Sequence, residues 1–162
     1  MYTPEDEALA RRLWKKRLGI SLLPLVIGLG LGVAVFIVGR ARRSDTLWMA
    51  TAALTVLGGG AFLFLFGVWA KPARDYLRHV GLMLRGRKRE TVGILTRFSP
   101  ELCDRDGIWC HAMMLNLGSG EEEDDRLFYY DDEKPAPVMP IGTRVRVESN
   151  DKMVSGIWRW EE

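Results

Sequence analysis

Cysteine is almost absent from this 162-residue chain, which has only Cys103 and Cys110. A small secreted fold held together by disulfides usually carries four or more, so no disulfide framework is expected and both thiols are read as reduced. Histidine is equally scarce, limited to His79 and His111. The spacing of Cys103, Cys110 and His111 matches no common zinc pattern and supplies no fourth ligand. If 108–117 is a strand, Cys110 and His111 project to opposite faces and cannot act together as nucleophile and base. Cys110 then reads as a small apolar filler, and His79 as an isolated residue on a helix. P-loop, dinucleotide-binding glycine fingerprint and nucleophile elbow are all missing. No cofactor or metal site is therefore expected, and an enzyme is the lesser expectation. Its form would be a membrane-bound enzyme or metal-binding protein using the Cys103/Cys110/His111 region.

Charge is missing from two long runs, 18–39 (LGISLLPLVIGLGLGVAVFIVG) and 47–70 (LWMATAALTVLGGGAFLFLFGVWA). At 1.5 Å per residue the first makes about 33 Å of helix, enough to cross a hydrocarbon core of roughly 30 Å. In lipid such a run must be helical, because only a helix satisfies its own backbone polar groups. Trp14, Trp48 and Trp69 lie near the ends, where indole rings favour the headgroup level. The first run exceeds the usual apolar length of a signal peptide and is followed by arginines, so it is expected to be retained. No ionisable residue falls inside either run, which argues against an ion or proton pathway. The flank before the first run holds Arg11, Arg12, Lys15, Lys16 and Arg17. The flank after the second holds Lys71, Arg74, Arg78, Arg85, Arg87, Lys88 and Arg89. Against these, the short connection offers only Arg40, Arg42 and Arg43, so both termini are expected on the cytoplasmic side of the plasma membrane.

The spans are rich in small residues. Gly28, Gly30 and Gly32 lie in the first; Gly58, Gly59 and Gly60 lie in the second, near Ala52, Ala53 and Ala61. Small residues let helix backbones approach closely in lipid. Gly28, Gly32, Gly58, Gly59 and Gly60 are thus candidate packing positions, within the hairpin or toward another copy or partner. Residues 1–17 read as an amphipathic helix with Thr3 as its N-cap, Pro4 at the first helical position, and Glu5, Asp6 and Glu7 in its first turn. Residues 71–89 read as a basic juxtamembrane helix with Ala73, Tyr76, Leu77, Val80 and Leu84 on one face. Two placements stay open for it: in the headgroup region, or under a soluble domain. Arg85, Arg87, Lys88 and Arg89 are candidate contacts to anionic lipid.

From residue 90 the helical period disappears. Candidate strands are 91–98, 108–117, 126–130, 143–149 and 152–160, separated by Ser99-Pro100, Asp106-Gly107, the 118–125 glycine-acidic stretch, three prolines at 135–140, and Asn150-Asp151. Val145 and Val147 point one way; Val92, Ile94 and Phe98 share a face. The expected architecture is a membrane α-helical hairpin (18–70) followed by a small all-β barrel of OB or SH3-like type (90–162). Two spans followed by such a domain resembles the layout of NfeD-like membrane proteins. The likeness rests on that order and on the strand-turn pattern Ile141-Gly142-Thr143-Arg144-Val145. It implies an OB barrel as the soluble part.

Residues 1–90 carry a net charge of +9 and residues 91–162 a net of −7. The basic half suits an anionic bilayer surface, and the acidic half excludes a phosphate-binding face, so no nucleic acid is expected. The acidic 121–125 run lacks calcium-loop spacing. Trp109, Tyr129, Tyr130, Trp158 and Trp160 are many aromatics for so small a domain and are candidate partner-binding residues. Together these features predict a membrane-anchored binding or assembly module. Its partners would be membrane lipid and a protein, or itself, through the span glycines or the β domain.

Overall fold

The computed structural model describes residues 1–42, 44–118 and 124–160. It divides into two compact units: Ala10–Arg74, and Met1–Leu9 together with Asp75–Glu162. Arg43 of the short connection and residues 119–123 of the acidic stretch lie outside the described residues.

Helix α1 runs Pro4–Arg42 without a break, so the amphipathic segment and the first apolar run are one element. The start follows the expected signals. Asp6 N–H donates to Thr3 Oγ1 (3.3 Å) while Thr3 N–H donates to Asp6 Oδ2 (2.8 Å), a reciprocal box, and Pro4 sits at the first helical position. Nothing between Ala10 and Leu18 stops a helix, since the segment holds neither proline nor glycine. Helix α2 runs Asp45–Leu65 and passes through a π-helical turn, Phe66–Ala70, into α3, Lys71–Arg85. The expected separate helix over 71–89 is instead continuous with the second apolar run: one wide turn carries the chain past Pro72, which cannot give the usual backbone bond.

In the Ala10–Arg74 unit both helices are long and apolar enough to cross a membrane. The residues α1 buries between 18 and 42 are Ser21, Gly28, Gly32 and Gly39; α2 buries Gly58. Their large side chains face outward, among them Val26, Ile27, Val33, Val56, Leu57 and Phe64.

The second unit contains a five-strand sheet: β1 Arg89–Arg105, β2 Ile108–Asn116, β3 Asp125–Asp131, β4 Arg144–Asn150 and β5 Met153–Arg159. Pairing runs β1-β2-β3-β5-β4 and returns from β4 to β1. Every contact is antiparallel except β3 with β5, which meet in parallel at Tyr129 and Met153. The inner face collects Leu95, Met113, Leu115, Phe128, Tyr130, Val145, Val147 and Val154 into one core.

Several expectations are corrected by this sheet. Ser99-Pro100 does not end the first strand; β1 continues to Arg105 with its register shifted between Phe98 and Leu102. Proline is tolerated there because a bulge needs no ladder donor. Val92 and Ile94 do not share an inner face with Phe98. Leu95 is buried and Ile94 exposed, because the shift between Leu95 and Arg97 inserts one residue and reverses the alternation. The last hairpin turns at Asp151-Lys152 rather than Asn150-Asp151. Asn150 pairs with Met153, and Asp151 takes the positive φ (55°) that the tight turn demands.

Candidate functional site

Close approach decides which span glycines matter within the hairpin. A Cβ built on Gly28 would lie 2.8 Å from Gly58 Cα, and one on Gly58 would lie 2.8 Å from Pro24 O. A Cβ on Gly32 would meet Thr55 Oγ1 at 3.0 Å, and one on Gly39 would meet Leu47 Cβ at 2.9 Å. Added Cβ atoms at Gly59 and Gly60 would meet nothing within 4 Å. So the structure joins Gly28, Gly32 and Gly58 in one seam, leaves Gly59 and Gly60 outside it, and adds Gly39.

The basic segment is partly committed to the β unit. Arg85 grips Glu7 through two bonds, Nη1 to Oε2 at 2.7 Å and Nη2 to Oε1 at 3.0 Å. That carboxylate raises the Arg85 value above its ordinary one. Lys88 Nζ lies 2.7 Å from Glu148 Oε1, which also accepts from Ser155 Oγ at 2.6 Å. The lysine first, then the serine, hold the Glu148 carboxyl below its usual range. Arg87 and Arg89 are exposed.

Sequence reading missed a buried polar cluster that joins residues far apart in the chain. Asp131 is fully buried on β3. Its Oδ2 accepts from Tyr2 Oη at 2.8 Å and from Tyr76 Oη at 3.4 Å, and its Oδ1 accepts from Glu133 N–H at 3.0 Å. Tyr2 Oη also lies 3.0 Å from His79 Nε2. Tyr2 has a single proton and gives it to Asp131, so Nε2–H of His79 must be the donor to Tyr2. Neutral His79 then keeps its lone pair on Nδ1. Burial, which outweighs the nearby carboxylate, lowers the His79 value, so the neutral form prevails near pH 7. Burial and then Asp131 raise both tyrosines. His79 also borders a cavity of about 390 Å³ between α3 and the two hairpin turns, with Asp75, Arg78, Arg105 and Asp151 around it. No local signal could have found this cluster, since Tyr2 and Asp131 are 129 positions apart.

The same N-terminal segment is held at two more points. Lys134 Nζ lies 2.8 Å from Asp6 Oδ2 and 4.9 Å from the centre of the Tyr2 ring. Burial pushes the Asp6 carboxyl up, but its bonds to Lys134 and Thr3 outweigh that and hold it below its ordinary value. Residues 1–9 are thus an integral strap of the β unit.

Cys103 and Cys110 sit directly opposite each other on β1 and β2, their Sγ atoms 3.5 Å apart. Each thiol lies within reach of the other's backbone carbonyl, at 3.2 and 3.3 Å. Burial first, and then the facing thiol, push Cys110 up to about 12. The pairing depends on β1 continuing past Ser99-Pro100 to Arg105: a two-residue turn at Asp106-Gly107 then sets 105 against 108 and therefore 103 against 110. His111 points elsewhere: Nδ1 lies 3.1 Å from Ser99 O and Nε2 lies 3.1 Å from Asp132 Oδ1. Among the described residues no group of three or more His, Cys, Asp or Glu side chains is placed to hold a metal ion.

The aromatic set divides. Tyr130 is corrected from partner-binding candidate to core residue: it is buried, and its hydroxyl donates to Pro135 O at 2.6 Å. Tyr129 is half-buried under Arg105. Trp109, 59% exposed, stands near the Asp106-Gly107 turn. Trp158 and Trp160 lie at the far end of β5, both exposed. Trp158 folds its ring over Gly156 and under Arg146, and borders an apolar cavity of about 240 Å³ with Pro137, Met139 and Ile157. Val138 and Ile141 are exposed beside Met139 in the same loop, at 99% and 66%. No protein-family model, curated protein or solved structure matches the chain.

Proposed function

We propose that this chain is a two-pass plasma-membrane protein that presents a small OB-type barrel on the cytoplasmic side as a protein-binding or assembly module. The pairing order β1-β2-β3-β5-β4, closed by a parallel β3/β5 contact, supports the OB reading over the SH3-like one. The hairpin's outward apolar side chains and inward glycines support lipid as its solvent, since a hairpin built for water would bury its leucines. The strap supports the topology. Residues 1–9 and the β unit are bonded into one body and so share one side of a bilayer, which requires an even number of crossings between them. The excess of flanking Lys and Arg favours the cytoplasm as that side.

The observation that carries the binding role is an apolar cavity bordered by Pro137, Met139, Ile157 and exposed Trp158, with exposed Val138 and Ile141 in the loop that supplies Pro137 and Met139, on an otherwise acidic unit. Large exposed apolar groups gathered at one place favour a partner surface. The net charge of −7 over residues 91–162 favours a partner that seats an apolar side chain within a basic rim. The test is cross-linking in cells, extraction in mild detergent and mass spectrometry of the captured proteins, comparing the natural chain with Ile141→Ser/Trp158→Ala. A partner captured by the first and lost from the second, at equal abundance, supports the module. Identical capture by both contradicts it.

A further inference from the structure

We infer that Cys103 and Cys110 form a thiol–disulfide exchange site, closing to an intramolecular disulfide when the folded protein meets a low-molecular-weight disulfide. The two residues face each other across β1 and β2, and their sulfurs are 3.5 Å apart, so closure needs only a small further approach. No other cysteine competes for either sulfur. This pairing goes beyond the binding role and does not depend on it.

The two thiols are not equivalent, and the difference orders the steps. Cys103 is partly exposed, while Cys110 is fully buried with its proton firmly held. The attacking group is therefore the Cys103 thiolate. It attacks one sulfur of the small disulfide RSSR. The RSSR bond breaks, RS⁻ leaves, and a mixed disulfide forms on Cys103. Cys110 then gives its proton to the departing thiolate, and its sulfur attacks the Cys103 sulfur. A second RS⁻ departs, taking a proton from water, as the Cys103–Cys110 bond forms. In balance, two protein thiols lose two electrons and two protons, and RSSR becomes two RSH. The second step is the slow one, because little Cys110 thiolate exists at neutral pH. Excess dithiol reductant reverses both steps.

The site is one strand from the strap's anchor. Cys110 pairs across β2 and β3 with Asp131, the carboxylate that anchors Tyr2. Closure occurs next to that anchor.

The test uses the full chain in detergent, fully reduced and then treated with oxidised glutathione, followed by intact mass and peptide mapping. The natural chain is expected to lose two hydrogens and yield a 103–110 cross-linked peptide, reversibly. Cys110→Ala should instead accumulate one glutathione on Cys103, trapping the first intermediate. Cys103→Ala should leave Cys110 unmodified over the same interval, at least tenfold slower than Cys103 in the converse variant. Circular dichroism of both variants verifies that the sheet persists. A stable glutathione adduct on the natural chain without closure overturns the inference. Unreacted thiols, or chain-to-chain disulfides in place of the internal one, overturn it equally. Modification of Cys110 in Cys103→Ala at the rate of Cys103 overturns the assigned order.

Discussion

The two units of this chain bury opposite things. The hairpin puts glycine and serine between its helices and turns valine, leucine and phenylalanine outward. The β unit puts Leu95, Met113, Leu115 and Val147 at its centre and turns most of its charge outward. Each arrangement suits a different solvent. In water, large apolar groups gain by hiding, at roughly 25 cal/mol per Å². In lipid that gain vanishes, and close backbone approach through small residues becomes the means of holding helices together. The same side-chain change should therefore have opposite weights in the two units.

A large effect is expected from filling the seam. Gly58→Leu forces a side chain against Pro24 O and Gly28 Cα, backbone atoms that cannot move aside. Overpacking commonly costs about 1–3 kcal/mol and more where backbone is met. Helix unfolding in detergent, followed by circular dichroism against denaturant, should show a lost or strongly lowered transition. Gly60→Leu, with open space at the added Cβ, should leave that transition in place.

Truncation gives the converse. Leu115→Ala empties a fully buried position of the β unit and should cost about 2–5 kcal/mol. Leu57→Ala removes the same atoms from an exposed position on α2 and should change stability by about 0.5 kcal/mol or less. Equal costs at the two sites would erase the contrast.

Next in size is the strap. Tyr2→Phe deletes the hydroxyl between His79 and Asp131 and leaves a buried carboxylate short of a donor. A loss of about 1–3 kcal/mol is expected, read as a lower denaturant midpoint for the sheet signal.

The smallest effect is a pH slope. His79 has a lowered value in the fold, so just below its ordinary value the unfolded chain binds more protons than the native one. Stability is complete above about pH 6.5 and is lost as the pH falls through that value toward the folded one. Tyr2, Tyr76 and Asp131 face the imidazole from the strap, α3 and β3, and Asp75, Arg78, Arg105, Asp106 and Asp151 ring the adjoining cavity. His79→Gln should flatten the fall in midpoint between about pH 7 and about pH 5. An unchanged slope would show that other groups carry it.

How much of this was legible in the sequence follows the range of each interaction. The two long apolar helices, Thr3 and Pro4 at the helix start, and the alternation of Val145 and Val147 depend on near neighbours, and all could be read directly. Face assignment failed in β1 because one inserted residue near Thr96 reverses the pleat, and nothing in TVGILTRF marks the insertion. Gly59 and Gly60 look like Gly58 in composition, yet only Gly58 meets the other helix, a distinction set by rotation about the helix axis. Facing of Cys103 and Cys110 was hidden by Ser99-Pro100, which looks like a strand end; it follows from the Asp106-Gly107 turn only once β1 runs through to Arg105. Bonding of Tyr2 to His79 and Asp131 rests on tertiary placement alone.

The most direct test of the account is the sidedness of the strap, the connection and the sheet. In a chain carrying Cys103→Ala and Cys110→Ala, single cysteines would be placed at Glu5→Cys, Ser44→Cys and Lys152→Cys. The first and last are exposed positions, in the strap and in the β4–β5 turn, and the second lies between the spans. A membrane-impermeant maleimide applied to intact cells should label only position 44. Positions 5 and 152 should react together once the membrane is opened. Labelling of 152 without 5 in intact cells, or protection of all three until opening, would contradict a two-pass chain with its strap and sheet joined on the cytoplasmic side.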